Sequence, residues 1–249
     1  MSTETRSCLV EKLSHYMPLD DNALEHLATL EKNERSYERA SEIYQGGDAN
    51  DNMFVVKQGW LYSYTDLLDG RRQIVKLHHP GDIIGFPDIA FTETTTVLRT
   101  AEDVCLCPFP KKGLDRIFKT SPQLTALLFT LSVRDQVILI DLVRAMGRMS
   151  ARERLAYVLM DLLHKLRITN KTMTNTIRMP LNQSEIADVV GLTNVYVSRS
   201  FIALEKDGYI RRSESMIEIL DEAGLKDLSD FFDRYSNLDT SWFPGGSRS

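Results

Sequence analysis

The sequence predicts an α+β protein: an N-terminal β-roll or jelly roll with flanking helices, a long dimerisation helix and a C-terminal winged helix-turn-helix. Three observations carry that prediction. Short strand-like runs punctuated by Gly and Asp fill residues 37–109, an apolar helical periodicity runs on from Pro122, and two capped helices parted by a glycine occupy Leu181–Lys206. At 249 residues the chain is long enough for two domains.

Taken in order, residues 7–31 read as helical, with Leu9, Leu13 and Tyr16 on one face and Leu24, Leu27 and Leu30 on another. Met53–Val56, Gly59–Tyr64 and Gln73–Leu77 are strand-like. Asp69-Gly70 between the last two is a hairpin signal, because a tight turn there needs positive φ. Gly46-Gly47-Asp48 and Pro80-Gly81-Asp82 mark further turns, and evenly spaced short strands of this kind form small jelly rolls. The expected divisions are a β-roll over 1–118, a long helix over 119–148, a winged helix over 149–235 and a flexible Gly/Ser/Pro-rich tail over 236–249.

From Pro122, Leu124, Leu128, Leu131, Ile138, Leu142 and Ala145 recur mostly three or four residues apart, a stripe suited to pairing with another helix. Packing onto the β domain is the alternative; a dimer seam is favoured because the helix leads into a DNA-binding unit. Ser150 and Glu153 form a capping box that starts the next helix. A short strand at Ile177–Met179 precedes the helix pair.

In that pair, Asn182 and Glu185 make a second capping box, and Ile186, Val189 and Val190 line one face. Gly191 ends the helix and Thr193 caps the next, whose Val197, Phe201 and Leu204 face inward. Asn194, Val195, Tyr196, Ser198 and Arg199 are left outside. Lys206-Asp207-Gly208 stops the helix, and Arg211-Arg212 give the following hairpin a basic edge. A plain helical hairpin accounts for the buried positions but not for this exposed polar turn, which suits the major groove of DNA.

Net charge is −5, yet it is unevenly distributed. Residues 1–118 carry 13 basic against 19 acidic side chains, residues 149–220 carry 10 against 8, and the last 29 carry 3 against 6. The mild basic excess sits with the helix-turn-helix, as expected for a protein reading a short site. Three cysteines argue against a secreted disulfide framework, no apolar run is long enough for a membrane helix, and no signal peptide is expected. A cytoplasmic protein follows.

Order and motifs together resemble the Crp/Fnr family of bacterial transcription regulators, over about residues 20 to 220. The most specific pieces are Pro80–Gly85 in the roll and Leu181–Ile210 in the DNA domain. The resemblance implies a homodimer on double-stranded DNA, with RNA polymerase as a further partner. It places Asn182 and Ser184 at phosphates, Thr193 at the cap of the recognition helix, Ser198 beside it in an assisting role, and Arg199 on a guanine. Lys206, Arg211 and Arg212 complete the expected interface. Val195 departs from the pattern, because members reading the familiar half-sites carry a Glu there that accepts from a cytosine amino group. Valine accepts nothing but can pack on a thymine methyl, so the half-site is expected to be altered, with Asn194 and Tyr196 supplying new contacts.

The sensor side departs further. Gly85 is followed by Phe86-Pro87 where cyclic-AMP-binding members carry a ribose-binding Glu, and the phosphate-binding Arg falls at Thr92. Arg99-Thr100-Ala101 imitates that motif about seven residues late. Gly85, Phe86, Thr92 and Arg99 are therefore candidates for an effector pocket, but cyclic AMP is not expected in it. An iron–sulphur cluster is not expected either, since only Cys8 lies near the N-terminus. Cys105 and Cys107 share a strand face and read as small core residues, with a redox or metal sensor as the alternative. His78-His79 read as strand-end surface residues, and adjacent strand positions make a poor metal pair. No catalytic set stands out. A metal-dependent jelly-roll enzyme of cupin type would need a His-x-His spacing the chain lacks.

Overall fold

The computed structural model describes residues 7–244. Two compact units appear, one formed by Met1–Thr65, Lys76–Val133 and Leu238–Ser249, the other by Asp66–Val75 and Arg134–Asn237. The division falls inside the long helix, not at its ends as the sequence led us to expect.

The first unit opens with α1 (Cys8–Ser14) and α2 (Asp21–Leu30). The single helical stretch expected over 7–31 is thus broken, because Asp20 caps a new helix by accepting from the Ala23 amide at 2.7 Å and Pro18 cannot extend the old one. Eight strands follow: β1 (Arg35–Tyr37), β2 (Glu42–Tyr44), β3 (Asn52–Gln58), β4 (Leu61–Asp66), β5 (Arg72–His78), β6 (Ile83–Ile84), β7 (Val97–Thr100) and β8 (Val104–Pro110). They form two four-stranded sheets, ordered β1-β8-β3-β6 and β2-β7-β4-β5. Gly59 turns β3 into β4 at a φ of +83°, where a Cβ would lie 2.5 Å from the Asp103 carbonyl oxygen, so only glycine fits.

Strand alternation sorts the core into two layers. Phe54 and Val56 of β3 join Leu61, Leu98, Val104 and Leu106 from both sheets. Met53 and Val55 point the other way, into a cluster with Leu9, Leu13, Leu27, Cys107 and Phe109. That helix-side cluster also takes in Leu114 and Ile117 of α3 (Gly113–Thr120) and Leu124, Leu127 and Leu128 of α4 (Pro122–Arg148).

The second unit contains the rest of α4, then α5 (Ala151–Thr169), β9 (Thr176–Arg178), α6 (Gln183–Val190), α7 (Asn194–Lys206), β10 (Ile210–Ser213), β11 (Met216–Ile219) and α8 (Glu222–Leu228). Strands order as β10-β11-β9, which makes the wing. The Ser150–Glu153 capping box forms at the start of α5. The hairpin tip between β4 and β5, with the first four residues of β5 (Asp66–Val75), groups with this unit instead of the first, and there the Gln73 side-chain amide donates to the Asp188 carbonyl at 2.7 Å.

Beyond α8 the chain stays packed, first within the 149–235 division and then, at Phe243, inside the tail that was expected to be flexible. Phe231 and Tyr235 are buried, and the Tyr235 hydroxyl donates to Asp161 at 2.8 Å. The guanidinium of Arg134 lies 5.1 Å from the Tyr235 ring centre, and Arg234 pairs with Asp141 at 2.8 Å. From Leu238 the chain groups with the first unit, where Phe243 is buried in the helix-side cluster. An aromatic ring removed from water outweighs the flexible composition around it. Residues 245–249 of the expected tail lie outside the described residues.

Candidate nucleic-acid interface

Local chemistry sets the helix pair. Asn182 Oδ1 accepts from the Glu185 amide at 2.9 Å, while Glu185 Oε2 accepts from the Asn182 amide at 2.8 Å, so two orphan donors of α6 are satisfied reciprocally. Gly191 takes the left-handed conformation that ends α6, at φ 63° and ψ 40°. Thr193 then begins α7 in extended backbone, but its side chain makes no capping bond and the residue is exposed.

Val197, Ser200, Phe201 and Leu204 bury one face of α7. Asn194, Val195, Tyr196, Arg199 and Lys206 are exposed on the other, with Ser198 half-buried at its margin. Asn194 is engaged within the chain: its side-chain amide donates to Ser184 Oγ at 3.0 Å, and its backbone carbonyl accepts from Gln183 Nε2 at 2.9 Å. Two side chains expected to meet DNA separately are therefore joined to each other across the turn. Arg199 has no ion pair or hydrogen-bond partner among the described residues.

The wing is less free than its sequence implies. Arg211 pairs with Glu218 at 2.9 Å, and Arg212 pairs with Glu205 at 2.7 Å with its guanidinium 4.5 Å from the Phe201 ring centre. That hydrogen bond from Arg212 holds the Glu205 carboxyl below its usual range. Arg212 thus fixes the wing to α7, a role the sequence motif did not reveal. Arg152 of α5 likewise pairs with Asp207 at the end of α7.

In the roll, Gly85 follows β6 at a φ of +110° and Phe86 packs against the helix-side cluster. Thr92 is exposed, and its carbonyl accepts from the Asn50 amide at 2.9 Å. Buried Asp88 accepts from the Thr95 amide at 3.0 Å and from the Thr95 hydroxyl at 2.5 Å. Arg99 lies on the other sheet, 3.6 Å from Glu42. No hydrogen bond or ion pair among the described residues joins the four candidate pocket residues.

The description of a Crp-like helix-turn-helix domain matches residues 153–228, and that of a cyclic nucleotide-binding domain matches residues 34–121. The transcriptional activator protein FnrL of Cereibacter sphaeroides is 33% identical over 196 residues, spanning 75% of this chain and 76% of that protein. The nitrogen fixation regulation protein FixK of Bradyrhizobium diazoefficiens is 30% identical, over 75% of this chain and 78% of its own length. The solved structure of FixK2 from Bradyrhizobium japonicum superimposes with a TM-score of 0.71 at 25% identity, covering 79% of this chain and 96% of that one. The chain belongs to the Crp/Fnr family of transcription regulators.

As a Crp/Fnr regulator the chain is a transcription factor, not an enzyme, and the family acts as DNA-binding dimers. In its roll Thr92 carries no charge, Phe86 packs its ring on the helix-side cluster, and the buried Asp88 carboxylate is engaged by Thr95. Among the described residues no three of His, Cys, Asp or Glu are placed to hold a metal, and no helix is long and apolar enough to cross a membrane.

Cys107 of this Crp/Fnr chain is fully buried in the helix-side cluster, and burial raises its thiol to about 11. Burial also raises Cys105, which donates to Glu34 at 3.7 Å. At both positions burial thus disfavours the thiolate, the reactive form. The histidine pair needs correction: His78 and His79 are buried, not at the surface. His78 Nε2 bonds to Ser63 Oγ at 2.8 Å, and His79 meets Trp60 edge-on at 4.1 Å between ring centres.

The stripe assigned to dimerisation in α4 also changes. Leu124, Leu128 and Ala145 are buried inside the chain itself, Leu131 packs on the helix-side cluster, and Ile138 and Leu142 are half-buried. A second stripe faces outward, with Phe129 62%, Val133 40%, Ile140 66% and Val143 64% exposed. Together with Gln136 these residues repeat four and three apart, the spacing of a coiled-coil seam.

Proposed function

We propose that this chain binds a two-fold related DNA site as a homodimer, each α7 lying in a major groove with half-sites about one helical turn apart. The observation that carries the reading is the exposed first turn of α7, Thr193–Tyr196, with Arg199 beyond it, backed by a packed helix face and with the Arg199 guanidinium unengaged. Arg199 takes a guanine through its fork. Asn182, Ser184, Thr193 and Ser198 sit where short polar groups and helix N-termini serve phosphates, and Lys206, Arg211 and Arg212 add charge along the edge. Asn194 acts by fixing α6 to α7, and Val195 and Tyr196 face the bases.

Dimerisation uses the outward stripe Phe129, Val133, Gln136, Ile140 and Val143, with Ile138 and Leu142 flanking it. The roll over 1–118, the helix over 119–148 and the winged helix over 149–235 remain the functional divisions. The roll either senses an effector other than a cyclic nucleotide or acts without one, and contact with RNA polymerase in the cytoplasm completes the role. Selection from a random DNA pool tests the reading: wild-type protein enriches a two-fold site, and binding weakens steeply with salt. Ile140→Glu, checked for folding by circular dichroism, should sediment as a monomer and lose most affinity for that site. An Ile140→Glu protein that stays dimeric sinks the seam assignment, and a pool that enriches no site sinks the DNA reading.

A further inference from the structure

The base-facing side of α7 carries more apolar surface than a polar partner explains. Val195, Arg199 and Ile202 stand four and three residues apart, so they share one helix face. Val195 and Ile202 are each 57% exposed, and Tyr196 beside them is 54% exposed. The inner face of the helix is already filled by Val197, Phe201 and Leu204, so these three side chains are not core residues turned outward by crowding. Scattered single apolar residues on a surface need no explanation, but three around one unengaged arginine form a patch. The side-chain amide of Asn194, the polar residue next to Val195, is turned to Ser184 instead of to the bases.

The apolar feature of the major groove is the C5-methyl of thymine; a cytosine presents an amino donor and no methyl. We infer that Val195 reads a pyrimidine C5-methyl at a base pair contiguous with the guanine taken by Arg199, with Tyr196 and Ile202 widening the apolar contact. The half-site then contains a guanine and a neighbouring thymine, and valine gains nothing from an unmethylated cytosine there. The same methyl is carried by 5-methylcytosine, so the recognised chemistry is the methyl group.

This inference rests on the DNA-binding reading above, and the experiment separates the two. Wild-type protein is first used to select its site, and each thymine of the half-site is then replaced by deoxyuridine, which removes the methyl alone. At one position beside the Arg199 guanine, affinity should fall about fourfold per half-site and about fifteenfold for the two-fold site, the worth of one buried methyl. In Val195→Ala that sensitivity should disappear, and Val195→Glu should shift the preferred base towards cytosine. Cytosine and 5-methylcytosine at the same position distinguish the sources: methylated DNA should bind about fourfold tighter than unmethylated if the methyl is what is read. Selected sites whose affinity is indifferent to deoxyuridine at every thymine overturn the inference while leaving DNA binding intact. Uridine sensitivity that persists unchanged in folded Val195→Ala overturns it as well. Failure to select any site is a failure of the DNA-binding reading itself.

Discussion

Two arginines and two threonines distinguish the DNA-binding unit from the roll. Arg199 stands exposed without a partner among the described residues, whereas Arg99 in the roll lies 3.6 Å from Glu42. Thr193 leaves its side chain out of the cap it begins, whereas Thr100 is buried with its hydroxyl donating to the Glu38 carbonyl at 2.8 Å. A surface that meets an outside partner keeps donors unengaged; a structural frame closes its polar groups on one another. The first unit therefore retains the architecture of a cyclic nucleotide-binding domain while the second retains the chemistry of a DNA reader.

The largest effect should come from breaking that contrast at its two arginines. Arg199→Ala should cost about 1–3 kcal/mol per half-site on the selected DNA and little on random sequence, since a guanine fork is lost while phosphate contacts remain. Arg99→Ala loses one partly exposed ion pair, worth about 0–1 kcal/mol of folding stability, and should leave DNA affinity unchanged. Titrations of both variants against specific and random duplexes check this directly. Equal losses on both duplexes for Arg199→Ala would place that residue on the backbone instead.

How much of this was legible in the sequence depended on whether the signal was local. The caps were legible: Asn182 with Glu185 and the glycine at 191 are short-range patterns, and the structure forms them as written. Which stripe of α4 stays exposed was not, because the helix carries two heptad-like stripes and spacing alone cannot say which faces the chain's own core. The leucine-rich stripe with Leu124 and Leu128 turned inward, and the stripe with Phe129 and Ile140 turned out. Asn194 was placed at the bases because polar residues on a reading turn face outward by default; its bond to Ser184 spans ten residues and leaves no sequence pattern. Phe243 hid within a flexible-looking composition, and the burial of His78 and His79 depended on Ser63 and Trp60, both on or next to another strand.

A middle-sized effect tests the closure of the roll. Asp88→Ala removes the acceptor for the Thr95 amide and hydroxyl, leaving those donors without their partner. Stability of the roll should fall by about 1–3 kcal/mol, read as a lower denaturant midpoint. DNA affinity of the folded protein should stay the same, because Asp88 serves the frame alone. A drop in affinity at unchanged stability would instead make that loop part of the signalling machinery.

The smallest effect should be that of cyclic nucleotides themselves. A ligand that binds only the folded state stabilises it in proportion to the logarithm of its saturation, so a dissociation constant of 1 mM would add only about 0.4 kcal/mol at 1 mM ligand. On the reading proposed above, in which the roll takes no cyclic nucleotide, an uncharged Thr92, Phe86 in the apolar cluster and Asp88 engaged by Thr95 offer a cyclic phosphate less than that. Thermal melts with 1 mM cyclic AMP or cyclic GMP should therefore coincide with the melt of the protein alone. A rise of several degrees with either nucleotide would mean that the roll has kept its ligand through other side chains, and the division between a closed frame and an open reader would fail on the sensor side.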